Sequence, residues 1–210
     1  MSSKEYISFR HLRREEKEDL DYTIQCFHRD SDIAVIAPHG GGIEPGTTEI
    51  AKAIASDRFS FYTLEGLKPQ GNKRLHIASD HFDEDRAYRI AQASQIVVAI
   101  HGCCGYNNLV LIGGLALAER KRIAQSLRGA GFQVEIYPPK PLAGELKNNI
   151  CNRGINGKGI QIEIDKSIRE TMFRSLSKDG RKVTTIIFDR FVEAIRADLE
   201  AYVSSKHPLL

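Results

Sequence analysis

Residues 33–46 read Ile-Ala-Val-Ile-Ala-Pro-His-Gly-Gly-Gly-Ile-Glu-Pro-Gly, and residues 96–105 repeat the plan as Ile-Val-Val-Ala-Ile-His-Gly-Cys-Cys-Gly. A short, partly β-branched apolar run that stops at a polar, glycine-rich segment marks a strand buried on both faces. Glycine at the stop removes side chains and permits dihedrals closed to other residues. Pro45-Gly46 then signals a turn, and Thr47 or Thr48 is placed to cap a helix running to about Ala55, with Glu49 in its first turn. Outward from these two stretches, further strands are predicted over 59–64, 75–78 and 133–137. Ile160 to Ile164 alternates Ile-Gln-Ile-Glu-Ile, the period of a strand with one polar face. Helices are expected over 83–93 and 114–128, and a long one begins near 184–188, runs to about Val203 and presents Phe191, Ile195, Leu199 and Tyr202 to the core. Residues 142–158, rich in Asn and Gly, read as an ordered functional loop. Strands alternating with helices predict an α/β fold, a single-domain open sheet, mixed and mostly buried, flanked by helices over residues 1–210.

Composition narrows the function. The 210 residues are 41% hydrophobic and 27% charged, with 30 basic and 27 acidic side chains, so the chain can bury a core. A net charge of +3, dispersed along the sequence, argues against a nucleic-acid binder. Cys26, Cys103, Cys104 and Cys151 form no CxxC pair and read as reduced thiols. The stretch Met1 to Asp21 is charged and holds no apolar run of the secretory-signal kind, and the longest apolar run, Leu109 to Ala118, is broken by glycines and falls short of the ~20 residues of a spanning helix. A cytoplasmic protein without membrane attachment is the expectation, released on cell lysis if it is phage-derived.

Ligands of open α/β folds bind at the carboxyl ends of strands. Three polar constellations follow predicted strand ends or lie in a strand here: His39 with Glu44, His101, and Glu163. Two imidazoles and one carboxylate, with a fourth position open, make the donor set of a catalytic zinc site. Glu163 is the candidate general base, because a Glu between Ile162 and Ile164 points to the face opposite both. The same residues admit plainer readings. A loop His beside glycines can cap a helix, and the Pro-His-Gly-Gly-Gly run can be an anion nest of backbone N–H groups. Neither GxGxxG, a Walker A loop nor HExxH occurs in the chain. A thiol mechanism through Cys103 or Cys104 requires a Cys–His contact.

Several blocks together resemble the poly-gamma-glutamate hydrolase family of phages and prophage-related bacterial genes. They are PHGGGIEPGTTEIAKAI at 38–54, LHIASDHFDED at 75–85, AIHGCCG at 99–105, ICNRGINGKGIQIEI at 150–164 and the following Arg169, spanning roughly residues 33–170. The resemblance implies an open α/β fold similar to the zinc carboxypeptidases of the carboxypeptidase A type. It implies one zinc ion held by His39, Glu44 and His101, with Glu163 as general base, in an enzyme that cuts gamma-glutamyl amide bonds of poly-gamma-glutamate. Asp80, Cys103 and Cys104 depart from the family's pattern; these departures bear on substrate preference and touch neither the zinc ligands nor the base.

By analogy with carboxypeptidase-like enzymes, the pair Asn152 and Arg153 resembles a carboxylate-binding pair, with Arg153 also a candidate to stabilise the oxyanion. Arg169 and His81 are further candidates to meet an anionic substrate, since guanidinium groups bind carboxylates bidentately. The competing expectations are a zinc carboxypeptidase or amidase acting on small peptides or cell-wall fragments, and a non-enzymatic phage-related binding protein. The oligomeric state is not legible in the sequence.

Overall fold

The computed structural model describes residues 6–206; residues 1–5, part of the charged N-terminal stretch, and 207–210 lie outside them. Thirteen regular elements follow the chain as α1 (Phe9–Glu15), β1 (Tyr22–Phe27), β2 (Ile33–Gly41), α2 (Thr47–Ala55), β3 (Ser60–Gly66), α3 (Asp85–Gln92), β4 (Ile96–Cys103), β5 (Leu109–Gly113), α4 (Leu117–Gly129), β6 (Gln133–Glu135), β7 (Ile160–Asp165), α5 (Lys166–Met172) and α6 (Ile186–Lys206). The seven strands form one sheet in the order β1-β3-β2-β4-β7-β5-β6. The sheet is mixed: β3, β2, β4 and β7 run parallel, whereas β1 pairs antiparallel with β3 and β5 antiparallel with β7.

Two apolar clusters sandwich the sheet. Ile33, Val35, Val98, Ile100, Ile160, Ile162 and Ile164 face one side, where they pack against α2, α4, α5 and α6. Phe191, Ile195, Leu199 and Tyr202 of α6 are buried in that layer, as the helical period predicts. Ala34, Ile36, Val97 and Ala99 face the other side, beneath α1, α3 and the loops around Leu75 and Ile150. Strands buried on both apolar faces need continuous apolar runs, and β2 and β4 supply them, whereas β7 alternates and turns Gln161 and Glu163 to the second face.

Several expectations are corrected. Both histidine-bearing strands outlast their apolar runs, so His39 and His101 sit within β2 and β4 rather than on the loops that follow. Residues 75–78 form no strand: a 3-10 turn spans Asn72–Leu75, and the segment after it runs outside the sheet. β1, β5 and α5 lie where no separate element was expected. Helix α2 is capped by Gly46 at φ 102°, not by a threonine side chain. The Thr47 hydroxyl instead donates to the carbonyl of Glu44 at 2.9 Å, fixing the turn that carries that residue. No helix among the described residues is long and apolar enough to cross a membrane.

Candidate active site

The site is built on one face of the sheet, at the carboxyl ends of β2, β4 and β7. On β4, His101 follows Val97 and Ala99 at the strand period and shares their face. On β7, Glu163 faces away from Ile162 and Ile164 and lies directly opposite His101 in the ladder. β2 requires a correction of phase, because plain alternation from Val35 and Ala37 would send His39 to the opposite, wholly apolar side. The register between β2 and β3 shifts between Ala37 and Gly40, a β-bulge at Pro38-His39. Proline lacks the N–H that a regular ladder would use there, and the extra residue re-aims the next side chain. His39 thereby joins Phe82 and His101 on the site face. The glycine after it is obligatory: a Cβ on Gly40 would fall 2.1 Å from Thr48 Oγ1 and 2.4 Å from Thr63 Oγ1.

His39, Glu44 and His101 converge, with one donor atom of each within 4.8 Å of the others. His39 Nε2 donates to the Ile77 carbonyl at 2.7 Å. A carbonyl only accepts, so Nε2 carries the proton, and Nδ1 of the neutral ring is a bare lone pair. That lone pair lies 3.1 Å from Glu44 Oε1 and 3.1 Å from His101 Nδ1. Glu44 Oε2 accepts the Gly102 N–H at 2.8 Å and lies 3.7 Å from His101 Nδ1. Buried acceptors aimed at one point repel unless a proton or cation lies among them. The donor set and its buried setting therefore fit a divalent cation, with the Ile77 carbonyl orienting one imidazole from behind.

The electrostatics separate the two carboxylates. Burial works against the charge of Glu44, but His39, His101 and His76 outweigh it and hold the carboxyl well below its ordinary range. Burial drives Glu163 the other way, to about 7, despite opposition from His101. Burial also pushes the His39 imidazole down to about 4, so it is neutral at physiological pH. His101 is moved upward, because Glu163 and Glu44 outweigh its own burial.

Glu163 lines the same cavity as the three convergent residues, a space of about 360 Å³. Its Oε1 accepts from Gln161 Nε2 at 3.0 Å, and Gln161 Oε1 accepts from Asn149 Nδ2 at 2.9 Å. Sequence reasoning missed this relay, although Gln161 stands two positions before Glu163 on the same strand face. His76 also stands at the site, its ring 3.9 Å from that of His39 and its Nε2 3.6 Å from Glu44 Oε1.

The remaining candidates fall elsewhere. Asn152 is buried and fully engaged: Oδ1 accepts from the Leu115 and Gly159 N–H groups, and Nδ2 donates to the Gly144 and Leu146 carbonyls. Arg153 does not line the cavity; its guanidinium lies 5.3 Å over the Tyr88 ring and its Nε donates to the Asn148 carbonyl at 3.3 Å. The structure thus brings neither member of this pair to the cluster. His81 is exposed, 3.9 Å from Asp80, and also outside the cavity wall. Arg169 is buried beside the site with its three nitrogens on backbone carbonyls of Ile164, Pro45 and Cys103. It ties the Glu44 turn to the segment after His101. It lies so close over Gly102 that a Cβ there would be 2.5 Å from its Cζ. All four cysteines are free, and burial pushes the Cys103 thiol up to about 12, which keeps it protonated.

Fold and site together define a hydrolase of the open, zinc carboxypeptidase-like α/β kind. Residues 6–194 match the profile of the family described as Poly-gamma-glutamate hydrolase, and the chain belongs to that family. It superposes on a bacteriophage poly-gamma-glutamate hydrolase with a TM-score of 0.91 at 32% identity, covering 95% of this chain and 98% of that one. It superposes on a zinc-free apo structure of YndL with a TM-score of 0.88 at 34% identity, over 94% of this chain and 98% of that one. In sequence it is 36% identical to the UPF0714 protein YndL of Bacillus subtilis (strain 168) over 85% of this chain and 71% of that protein. It is 35% identical to the SPbeta prophage-derived UPF0714 protein YoqZ of the same strain, over 88% of this chain and 67% of that protein.

Proposed function

We propose that this chain cleaves the gamma-glutamyl amide bonds of poly-gamma-glutamate, using one zinc ion held by His39, Glu44 and His101, with Glu163 as general base. The observation that carries the reading is the convergence of two imidazole nitrogens and a carboxylate beside a second, buried carboxylate in one cavity. Membership of the poly-gamma-glutamate hydrolase family supports the substrate, and similarity to a protein whose apo form is zinc-free supports the metal. When bound, zinc supplies Lewis acidity and lowers the pKa of water toward neutrality.

The protein's own groups handle the proton and the geometry. Gln161 occupies Oε1 of Glu163, which leaves Oε2 to accept a proton from the attacking water and deliver it to the leaving amide nitrogen. Burial raises this carboxyl in the metal-free protein and so makes it a stronger base for both transfers. Glu44 remains an anion throughout, pinned by the Gly102 N–H. Arg169 is a positioning residue that holds the Glu44 turn against β4.

The test measures bound zinc and viscosity loss of poly-gamma-glutamate together, for the wild type and Glu163→Gln. The variant is expected to keep stoichiometric zinc and lose cleavage. Equal cleavage by the two proteins removes Glu163 from the mechanism, and a zinc-free wild type that cleaves removes the metal.

A further inference from the structure

The cavity over the cluster does not end there. It opens past Glu44, His76, Gly102 and Cys103, which line both, into a second cavity of about 510 Å³. Gly42, Pro45 and Leu176 in turn join the second to a third of about 640 Å³. The groove's charge is unequal. Besides the site carboxylates, the first cavity carries Asp80, Glu145 and Lys140. The second carries Lys73, Lys166 and Arg169, and its one acidic lining residue is Glu44 of the site.

The cations are not equally available. Arg169 is buried and committed to three carbonyls. Lys68 in the third cavity is held by Glu16 and Asp21, Lys182 by Asp179, and Arg181 by Glu49, while Lys178 is exposed there but does not line the second cavity. Lys166 is exposed and makes only a solvent-facing pair with Glu170 at 3.3 Å. Lys73, which lines the same cavity, is exposed and has no acidic partner within ion-pair distance among the described residues.

We propose that Lys73 and Lys166 form a seat for the free carboxylates of the polymer on one side of the scissile bond. The longer arm of the substrate leaves the cluster through the second cavity, and the first cavity takes the shorter arm. A polymer with one carboxylate per repeat suits two flexible ammonium groups, which act as point charges and demand no fixed fork geometry. The inference rests on the proposed substrate being that polyanion, and assigns which side of the site grips it.

The test compares wild type with Lys73→Gln/Lys166→Gln and with Lys140→Gln, reading kcat and KM on poly-gamma-glutamate at low and high salt, and zinc content. The double variant is expected to raise KM by about tenfold at low salt, with kcat and zinc unchanged, and to flatten the salt dependence of KM. Lys140→Gln is expected to change KM far less. An unchanged KM in the double variant, or an equal rise in Lys140→Gln, overturns the proposal. Should the wild type leave the polymer uncut, the proposed activity fails separately, and equilibrium binding of the same polymer decides this inference. Weaker binding by the double variant than by wild type and Lys140→Gln sustains it; equal binding by all three overturns it.

Discussion

Burying Glu163 strains the fold when the site holds no metal, and the strain has a size and a pH dependence that stability measurements can read. The carboxyl moves from its ordinary 4.5 to about 7, chiefly by burial, and the attraction of His101 is already contained in that value. The folded state therefore holds the proton more tightly than the unfolded chain does. Stability falls as pH rises between the two values, because the native state binds more protons there. The penalty is absent well below 4.5, grows through the window and is complete above about 7. Between pH 5 and pH 8 the displacement corresponds to roughly 2–3 kcal/mol. Glu163→Gln keeps the shape and the acceptor that Gln161 uses, and removes the charge. Metal-stripped Glu163→Gln should accordingly gain roughly 2–3 kcal/mol on metal-stripped wild type when the comparison moves from pH 5 to pH 8. Urea unfolding followed by circular dichroism at the two pH values provides the measurement, with equal m-values as the check on two-state behaviour. A stability difference that stays the same at both pH values would refute the reading of Glu163 as a desolvated acid.

Asn152→Ala removes the partner of two backbone N–H groups and two carbonyls, so we expect a loss of about 2–4 kcal/mol in urea unfolding. Its KM for the polymer should not change below the unfolding range; a raised KM with full stability would return Asn152 to the substrate. Gly102→Ala should displace Arg169, whose Cζ would lie 2.5 Å from the new Cβ, and lower both melting temperature and kcat; a variant as stable and active as wild type would show that the contact is dispensable. Zinc affinity, followed by chelator competition, should rise with pH by up to about tenfold per unit until His101, whose value is raised, has lost its proton. His39, already neutral, adds no proton to that release; because Glu163, near 7 without metal, can add its own, the check is made in Glu163→Gln, where a two-proton slope at pH 6 would contradict the assignment.

Legibility in the sequence followed burial. The cores of β2 and β4 stand out as apolar runs because both faces are covered, β7 stands out by alternation because only its isoleucine face is apolar, and the α6 stripe stands out because one helix face meets one layer. β1 escaped notice at the sheet edge, where Tyr22–Phe27 is only partly covered and gives neither a continuous run nor a clean alternation. β5 was hidden inside the apolar run that leads through Gly113 and Gly114 into α4. Residues 75–78 carry strand-like composition, but the Ile77 carbonyl is taken by His39 instead of a ladder partner. The three convergent residues and Glu163 could be picked out by residue type and position. The bulge that turns His39 onto their face depends on β3 pairing and could not. Asn152 and Arg153 show the converse: a polar pair in a glycine-rich loop looks the same in sequence whether it meets a ligand or its own backbone.

The two carboxylates of the cavity explain why the site combines a crowded cluster with a separately buried acid. In the proposed mechanism Glu44, as a metal ligand, has to stay ionised, and Glu163, as a proton carrier, has to change state near the working pH. Three imidazoles around Glu44 supply the first condition, and desolvation of Glu163 supplies the second. Both environments sit on the same sheet face because His101 and Glu163 are opposed in the β4–β7 ladder, which fixes their separation by strand spacing rather than by loop conformation. The less rigid contribution comes from the Glu44 turn, and there the buried Arg169 spans from the Pro45 carbonyl to the Cys103 carbonyl. Weakening that strap should disturb Glu44 while leaving Glu163 in register. Its loss would therefore appear first as lowered zinc affinity, with the displaced stability window of Glu163 still present in the metal-free protein.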